Sequence, residues 1–152
     1  MKTLAIYAGS FNPFHIGHLN IVEKAEEIFG KGNVLIAIGV NPSKTNIGDL
    51  GAISRAEELS KTLNRKVETY FTFLHEFIVE KEKEGYNVVL VRGLRNGDDL
   101  SYENNQLSFI KDFKPDLKSI FIMCDKNFEH ISSSAIRTLE SFKNGSSEKY
   151  LC

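Results

Sequence analysis

The chain has 152 residues, of which 41% are hydrophobic and 26% charged, and its formal net charge is -1 at pH 7. That length suits one compact domain with a single sizeable core, and the evenly mixed charge excludes the basic field of a nucleic-acid binder. No apolar run approaches a membrane span, and Cys124 and Cys152 fit neither a C-x-x-C motif nor a disulfide framework, so a cytoplasmic protein without nucleic-acid or membrane partners is expected.

In chain order, short runs rich in Val, Ile and Phe predict strands at Leu4 to Ala8, Val34 to Val40, Val67 to Phe73, Val88 to Val91 and Ile120 to Met123. Helical patterns fill the gaps. Leu19, Val22, Ala25 and Phe29 recur at helical spacing with Gly30 as a stop. Similar patterns run from about Ile53 to Leu63, from Leu74 to Lys83 ending at Gly85, from Asp99 to Phe113 ending before Pro115, and from Ser133 to Phe142. The alternation predicts an α/β fold, a doubly wound, Rossmann-like open parallel sheet of about five strands with helices on both faces. Residues 1–152 contain no internal domain boundary, and Asn144 to Lys149 read as a loose tail.

In such a sheet ligands bind beyond the carboxyl ends of the strands, near the point where strand order reverses. Three unusual segments fall there: Gly9 to His18 (GSFNPFHIGH), Arg92 to Arg95 within VRGLR, and Ile131 to Arg137 (ISSSAIR). The first has neither a G-x-G-x-x-G nor a phosphate-loop motif. Gly9 and Gly17 permit close backbone approach to a ligand, and His18 falls at a helix start, where free N–H groups and the dipole attract anions. His15 and His18 could equally cap the helix, and no third or fourth ligand stands nearby to complete a zinc site. Arg92 and Arg95 follow a strongly apolar strand, where guanidinium groups call for an anion; the alternative is pairing with Asp98 and Asp99, which could also cap the next helix. Ser132, Ser133 and Ser134 open a helix, as phosphate ligands or merely as a cap. Lys44, in NPSK, adds one positive charge to the same edge.

Together these residues describe a polyphosphate site without a Cys or Ser nucleophile beside a base. Such a site suits phosphoryl or nucleotidyl transfer, in which alignment and charge stabilisation carry catalysis.

GSFNPFHIGH resembles the opening signature of the nucleotidyltransferase superfamily, whose H/T-x-G-H turn is matched by His15, Gly17 and His18, and ISSSAIR resembles its second signature. AIYAGSFNPFHIGHLNIV, NPSK, VRGLRNGDDLSYE and ISSS are similar in order and spacing to the phosphopantetheine adenylyltransferase family over nearly the whole chain. The resemblance implies transfer of AMP from ATP to 4'-phosphopantetheine, giving dephospho-coenzyme A and pyrophosphate, with Mg2+ as the companion ion. Carried over by position, His18, Lys44 and Arg95 form the catalytic set, with His18 on the α-phosphate. Gly9, Ser10, Phe11, His15, Gly17, Arg95, Glu103 and Ser132 to Ser134 hold the nucleotide. Ser10, Lys44, Phe73, Leu74 and Arg92 serve the acceptor. No residue is assigned to a metal, and a homo-oligomer, hexameric by resemblance, is implied. Asn12 and Ser10 stand where the family has Asp and Thr, and Tyr102 to Ile110 departs from its pattern. Another small phosphomonoester acceptor, such as nicotinamide mononucleotide, or a non-catalytic nucleotide-binding module, are the alternatives.

Overall fold

A computed structural model describes residues 1–40 and 46–152 of the chain. Five parallel strands form one sheet: β1 (Thr3–Gly9), β2 (Val34–Gly39), β3 (Val67–Tyr70), β4 (Asn87–Leu94) and β5 (Lys118–Met123), in the order β3-β2-β1-β4-β5. The helices between and after them are α1 (Ile16–Phe29), α2 (Asn46–Leu63), α3 (Leu74–Lys83), α4 (Gly97–Phe113) and α5 (Ser133–Ser141). The strand alternation and helical spacing of the sequence therefore correspond to real elements, α3 with the expected bounds.

The strand period of two separates two apolar layers. Ala5, Tyr7, Ile36, Ile38 and Val91 face Ile21, Val22 and Ala25 of α1 and Ala56 and Leu63 of α2. On the opposite face Leu4, Ile6, Ala8, Leu35 and Leu90 pack against Phe77 and Ile78 of α3 and Leu107 of α4. Central β1 and β2 are buried on both faces and read as unbroken apolar runs, whereas edge strands β3 and β5 are only half buried.

β1 pairs with β2 on one side and β4 on the other, Ala5 lying beside both Val34 and Val89. The chain leaves β1 toward β2 and returns to β4 across the sheet, so the crevice beyond Gly9 and Leu94 is the topological switch point at which such sheets bind ligands. The C-terminal segment is not the loose tail its composition predicts. Glu148–Tyr150 forms a 3-10 turn, Ser147 is buried, and Leu151 pairs with His15 in an isolated antiparallel bridge.

Candidate active site

A cleft of about 370 Å³ opens at this switch point. The loop after β1 lines it with Gly9, Ser10, Phe11, His15, Gly17 and His18; the end of β4 and the start of α4 supply Arg92, Arg95, Asp99, Tyr102 and Glu103; Ser132 and Ser133 come from the start of α5. The three segments picked out in the sequence thus meet in one cavity.

The loop is built around stacked rings. Phe11 adopts φ 44°, a left-handed conformation costly for a bulky residue. Its ring packs edge-on against Tyr7, Phe14 and His18 at 5.0, 5.3 and 4.9 Å, and this burial offsets the strain. His15 is the N-cap of α1. Its Nδ1 accepts the N–H groups of Gly17 (3.1 Å) and His18 (3.4 Å), while His18 Nδ1 accepts the N–H of His15 (3.1 Å). This is a capping box made by two imidazoles. Gly17 is required because the His15 ring lies across it: a Cβ there would come within 3.0 Å of His15 Cε1. The Gly17 and His18 N–H groups are therefore not free to bind an anion, as the sequence suggested, since the His15 ring already takes them.

The same bonds set the protonation of both rings. Burial, with Arg95 adding to it, lowers the His15 pKa to about 4. Burial, then His15 and Arg95, drives that of His18 well below the usual histidine value. Both rings are neutral at pH 7, and because each Nδ1 is an acceptor, each proton resides on Nε2. His18 lines the cleft and offers its Nε2–H as a donor.

The arginines are held by carboxylates of α4. Arg92 Nε donates to Glu103 Oε2 at 2.6 Å, and both side chains are 18% exposed. Arg95 grips Asp99 through Nε (3.1 Å) and Nη2 (3.2 Å), and its backbone N–H meets the same carboxylate at 2.9 Å. Burial works against the Asp99 carboxylate, but the bonds from Arg95 outweigh it and hold its pKa below the usual value. Asp99 thus takes the pairing role weighed for it, whereas the helix is capped by Asn96, whose side chain accepts the Asp99 N–H.

Ser132 caps α5 through the Ala135 N–H, and Ser133 Oγ donates to the Pro13 carbonyl at 2.9 Å. Arg137 Nη1 donates to the Asn12 carbonyl at 2.6 Å. These two bonds tie α5 to the turn between β1 and α1, so the two sequence signatures are one mechanical unit. Ser134 is exposed, bonded to Ser132, and lies outside the cleft lining. The loop after β5 is pinned to α1 as well, since Asp125 binds Asn20 and Lys24. That presents Cys124 and Phe128 to the cleft.

Phe73 and Leu74, expected on the acceptor side, do not line this cleft. Leu74 packs against the α3 and α4 layer of the core. Phe73 is 69% exposed and stacks with His75 and Phe113 on the outer surface. Lys44 lies outside the described residues. Tyr7, Cys124 and Phe128 were missed in the sequence, where an aromatic or thiol within or beside an apolar strand reads as core.

A cleft of neutral imidazoles and guanidinium groups at the switch point of a doubly wound sheet defines a nucleotidyltransferase site. In agreement, a model of the cytidylyltransferase-like family matches residues 6–139, and the chain belongs to that family. Its relatives include the phosphopantetheine adenylyltransferase of Shouchella clausii, 31% identical over 91% of this chain and 84% of that one, and the same-named protein of Cytophaga hutchinsonii, 35% identical over 93% and 92%. At that identity and coverage the chain is a member of the phosphopantetheine adenylyltransferases. The fold is shared with a bifunctional NMN adenylyltransferase/ADP ribose pyrophosphatase from Francisella tularensis, with a TM-score of 0.66 and 22% identity over all of this chain and 45% of that one.

Proposed function

We propose that this protein transfers AMP from ATP to 4'-phosphopantetheine, producing dephospho-coenzyme A and pyrophosphate. The observation that carries the reading is His18: a neutral imidazole at the start of α1, its Nδ1 occupied and its Nε2–H turned over to the cleft at the switch point. An oxygen of the acceptor phosphate attacks the α-phosphorus in line, the new P–O bond forms, and the bond to the β-phosphate bridging oxygen breaks with its electrons leaving on pyrophosphate. The His18 Nε2–H donates to an α-phosphate oxygen as charge builds there, and Arg95 meets the departing phosphates. Arg92, near the end of β4, anchors the acceptor, with Ser10 and Lys44 assigned there by resemblance.

His18 and the arginines of the cleft are donors suited to phosphate oxygens. Asp99 and Glu103 are engaged with arginines, and no group of three or more His, Cys, Asp or Glu side chains is placed to hold an ion among the described residues. Mg2+ belongs to this proposal as part of the substrate, carried on the triphosphate. A cytoplasmic site of action is supported by the two free thiols, and no helix among the described residues is long and apolar enough to cross a membrane. Homo-oligomer formation, hexameric by resemblance, has its support in the exposed aromatic surface of Phe73, Phe109 and Phe113.

Incubating the protein with ATP, magnesium and phosphopantetheine, and in parallel with nicotinamide mononucleotide, tests the assignment. Dephospho-coenzyme A and pyrophosphate are expected from the first mixture. Product from nicotinamide mononucleotide alone would move the protein to another acceptor, and ATP binding without pyrophosphate from either would make it a binding module.

A further inference from the structure

Tyr7 lines the cleft, and the reaction above gives its hydroxyl no role. It sits near the end of β1, 5% exposed, with its ring packed edge-on against Phe11 and 6.3 Å from the His18 ring. Its hydroxyl lies over Gly93 of β4, where a Cβ would come within 3.2 Å of the phenol oxygen and 3.0 Å of Ile21 Cγ1. Glycine at position 93 therefore keeps open the space into which the hydroxyl projects. Among the described residues the hydroxyl has no hydrogen-bond partner, yet no polar side-chain atom there is sealed off unpaired, so the oxygen faces the cleft that Tyr7 lines. The ring is buried but the O–H opens on the cleft, so it is a donor that a ligand entering the cleft can take over from water.

We infer that the Tyr7 hydroxyl donates a hydrogen bond to the phosphate chain of the bound nucleotide, beside the phosphate held by His18, which makes Tyr7 a further binding residue of the site. Tyr7 belongs to the α1 side of the sheet with Ile21 and Val91, the side of His18. Burial raises its pKa, with Arg92 working in the opposite sense, so the group stays a protonated donor across the physiological range. A neutral donor suits this position: it stabilises phosphate without adding a third fixed charge to the two guanidinium groups.

The inference rests on the reading that ATP occupies this cleft, and the test separates the two. Tyr7→Phe keeps the ring packing and removes only the donor. By titration calorimetry with magnesium present, ATP affinity should fall on the order of 10-fold relative to the unaltered chain, while adenosine binding and thermal unfolding stay the same. Equal ATP affinity in both proteins overturns the inference. So does a parallel loss of adenosine affinity, which marks the phenol as packing alone. Because binding of ATP does not depend on the acceptor, failure of the unaltered protein to adenylylate phosphopantetheine would count against the proposed function and leave this result standing. An unaltered chain that binds no ATP overturns both.

Discussion

The imidazoles of His15 and His18 stack at 3.6 Å, and the Nδ1 of each accepts the backbone N–H of the other's residue. This reciprocity leaves His18 one free function, the donor at Nε2. Replacing His18 by Ala removes a transition-state donor, so turnover should drop on the order of 100-fold or more with ATP affinity largely kept. Because its pKa lies well below the usual value, His18 remains neutral as pH falls through the ordinary histidine range. A pH-rate profile should therefore show no loss attributable to histidine near pH 6.5, and a midpoint there would contradict the arrangement.

His15 makes a prediction about stability. Its folded pKa of about 4 lies below the ordinary 6.5, so between those values the unfolded chain binds the proton more readily than the folded one. The folded state then has its full stability above pH 6.5 and loses it as pH falls toward 4, by about 3 kcal/mol from this group. His15→Asn keeps a capping side chain that does not titrate. Denaturant unfolding across that window should show a flatter acid limb for the variant; an unchanged limb would mean that His15 is not the titrating group.

The fold was legible in the sequence because each element announces itself by period: β1 and β2 as unbroken apolar runs, α3 by an amphipathic stretch ended at Gly85. Arg92 and Arg95 were legible because guanidinium groups after an apolar strand need an anion, here Glu103 and Asp99, and the other two segments by their helix-start residues and their resemblance to known signatures. Pairing was harder to read. That Arg92 takes Glu103, eleven residues on, depends on how α4 turns over β4, and no local spacing states it. The bond from Ser133 to the Pro13 carbonyl, 120 residues apart, comes from tertiary placement in the same way, whereas the His15 cap is local and was among the readings the sequence offered. Tyr7 was invisible for a different reason: in a strand, a tyrosine whose ring joins the core and one whose hydroxyl reaches a cleft have the same pattern.

Asp99 orients Arg95 through three bonds. Both side chains are partly exposed, so the pair contributes less than about 1 kcal/mol to stability. Its value is in aim. Asp99→Asn should raise the KM for ATP several-fold with little change in unfolding, and Asp99→Glu should recover less than the full effect because the bidentate geometry changes. Steady-state kinetics with ATP varied would show it; a variant with unaltered KM would remove Asp99 from the site.

Ser133 and Arg137 act at a distance from the chemistry, by holding the Pro13 and Asn12 carbonyls of the catalytic turn. Each substitution to Ala deletes a hydrogen bond of about 1 kcal/mol, which corresponds to roughly 2–4 °C in melting temperature for a chain of this size. Turnover should fall several-fold in each case, although Arg137 is outside the cleft lining. Since both bonds serve one turn, the double variant should lose less than the product of the single losses. Strictly multiplicative losses would show that the two contacts act independently.

The C-terminal segment gives the last prediction. Leu151 pairs with the backbone of His15, and Tyr150 meets the His130 ring edge-on at 6.2 Å, so the end of the chain is anchored beside the start of α1. Burial is the main reason that His15 titrates at about 4, and His15 is only 4% exposed with this segment in place. A chain ending at Ser146 loses the strand-like pairing with the His15 backbone and tests whether this segment contributes to the burial of the ring. Its titration midpoint, followed by the NMR shift of the ring protons, should then rise toward 6.5, since a hydrated imidazolium no longer carries the desolvation cost. Protonation would also take away the Nδ1 acceptor that binds the Gly17 and His18 N–H groups. Activity of the shortened chain should consequently acquire an acid limb near neutral pH that the whole chain lacks, and a midpoint still near 4 would show that the turn buries His15 unaided.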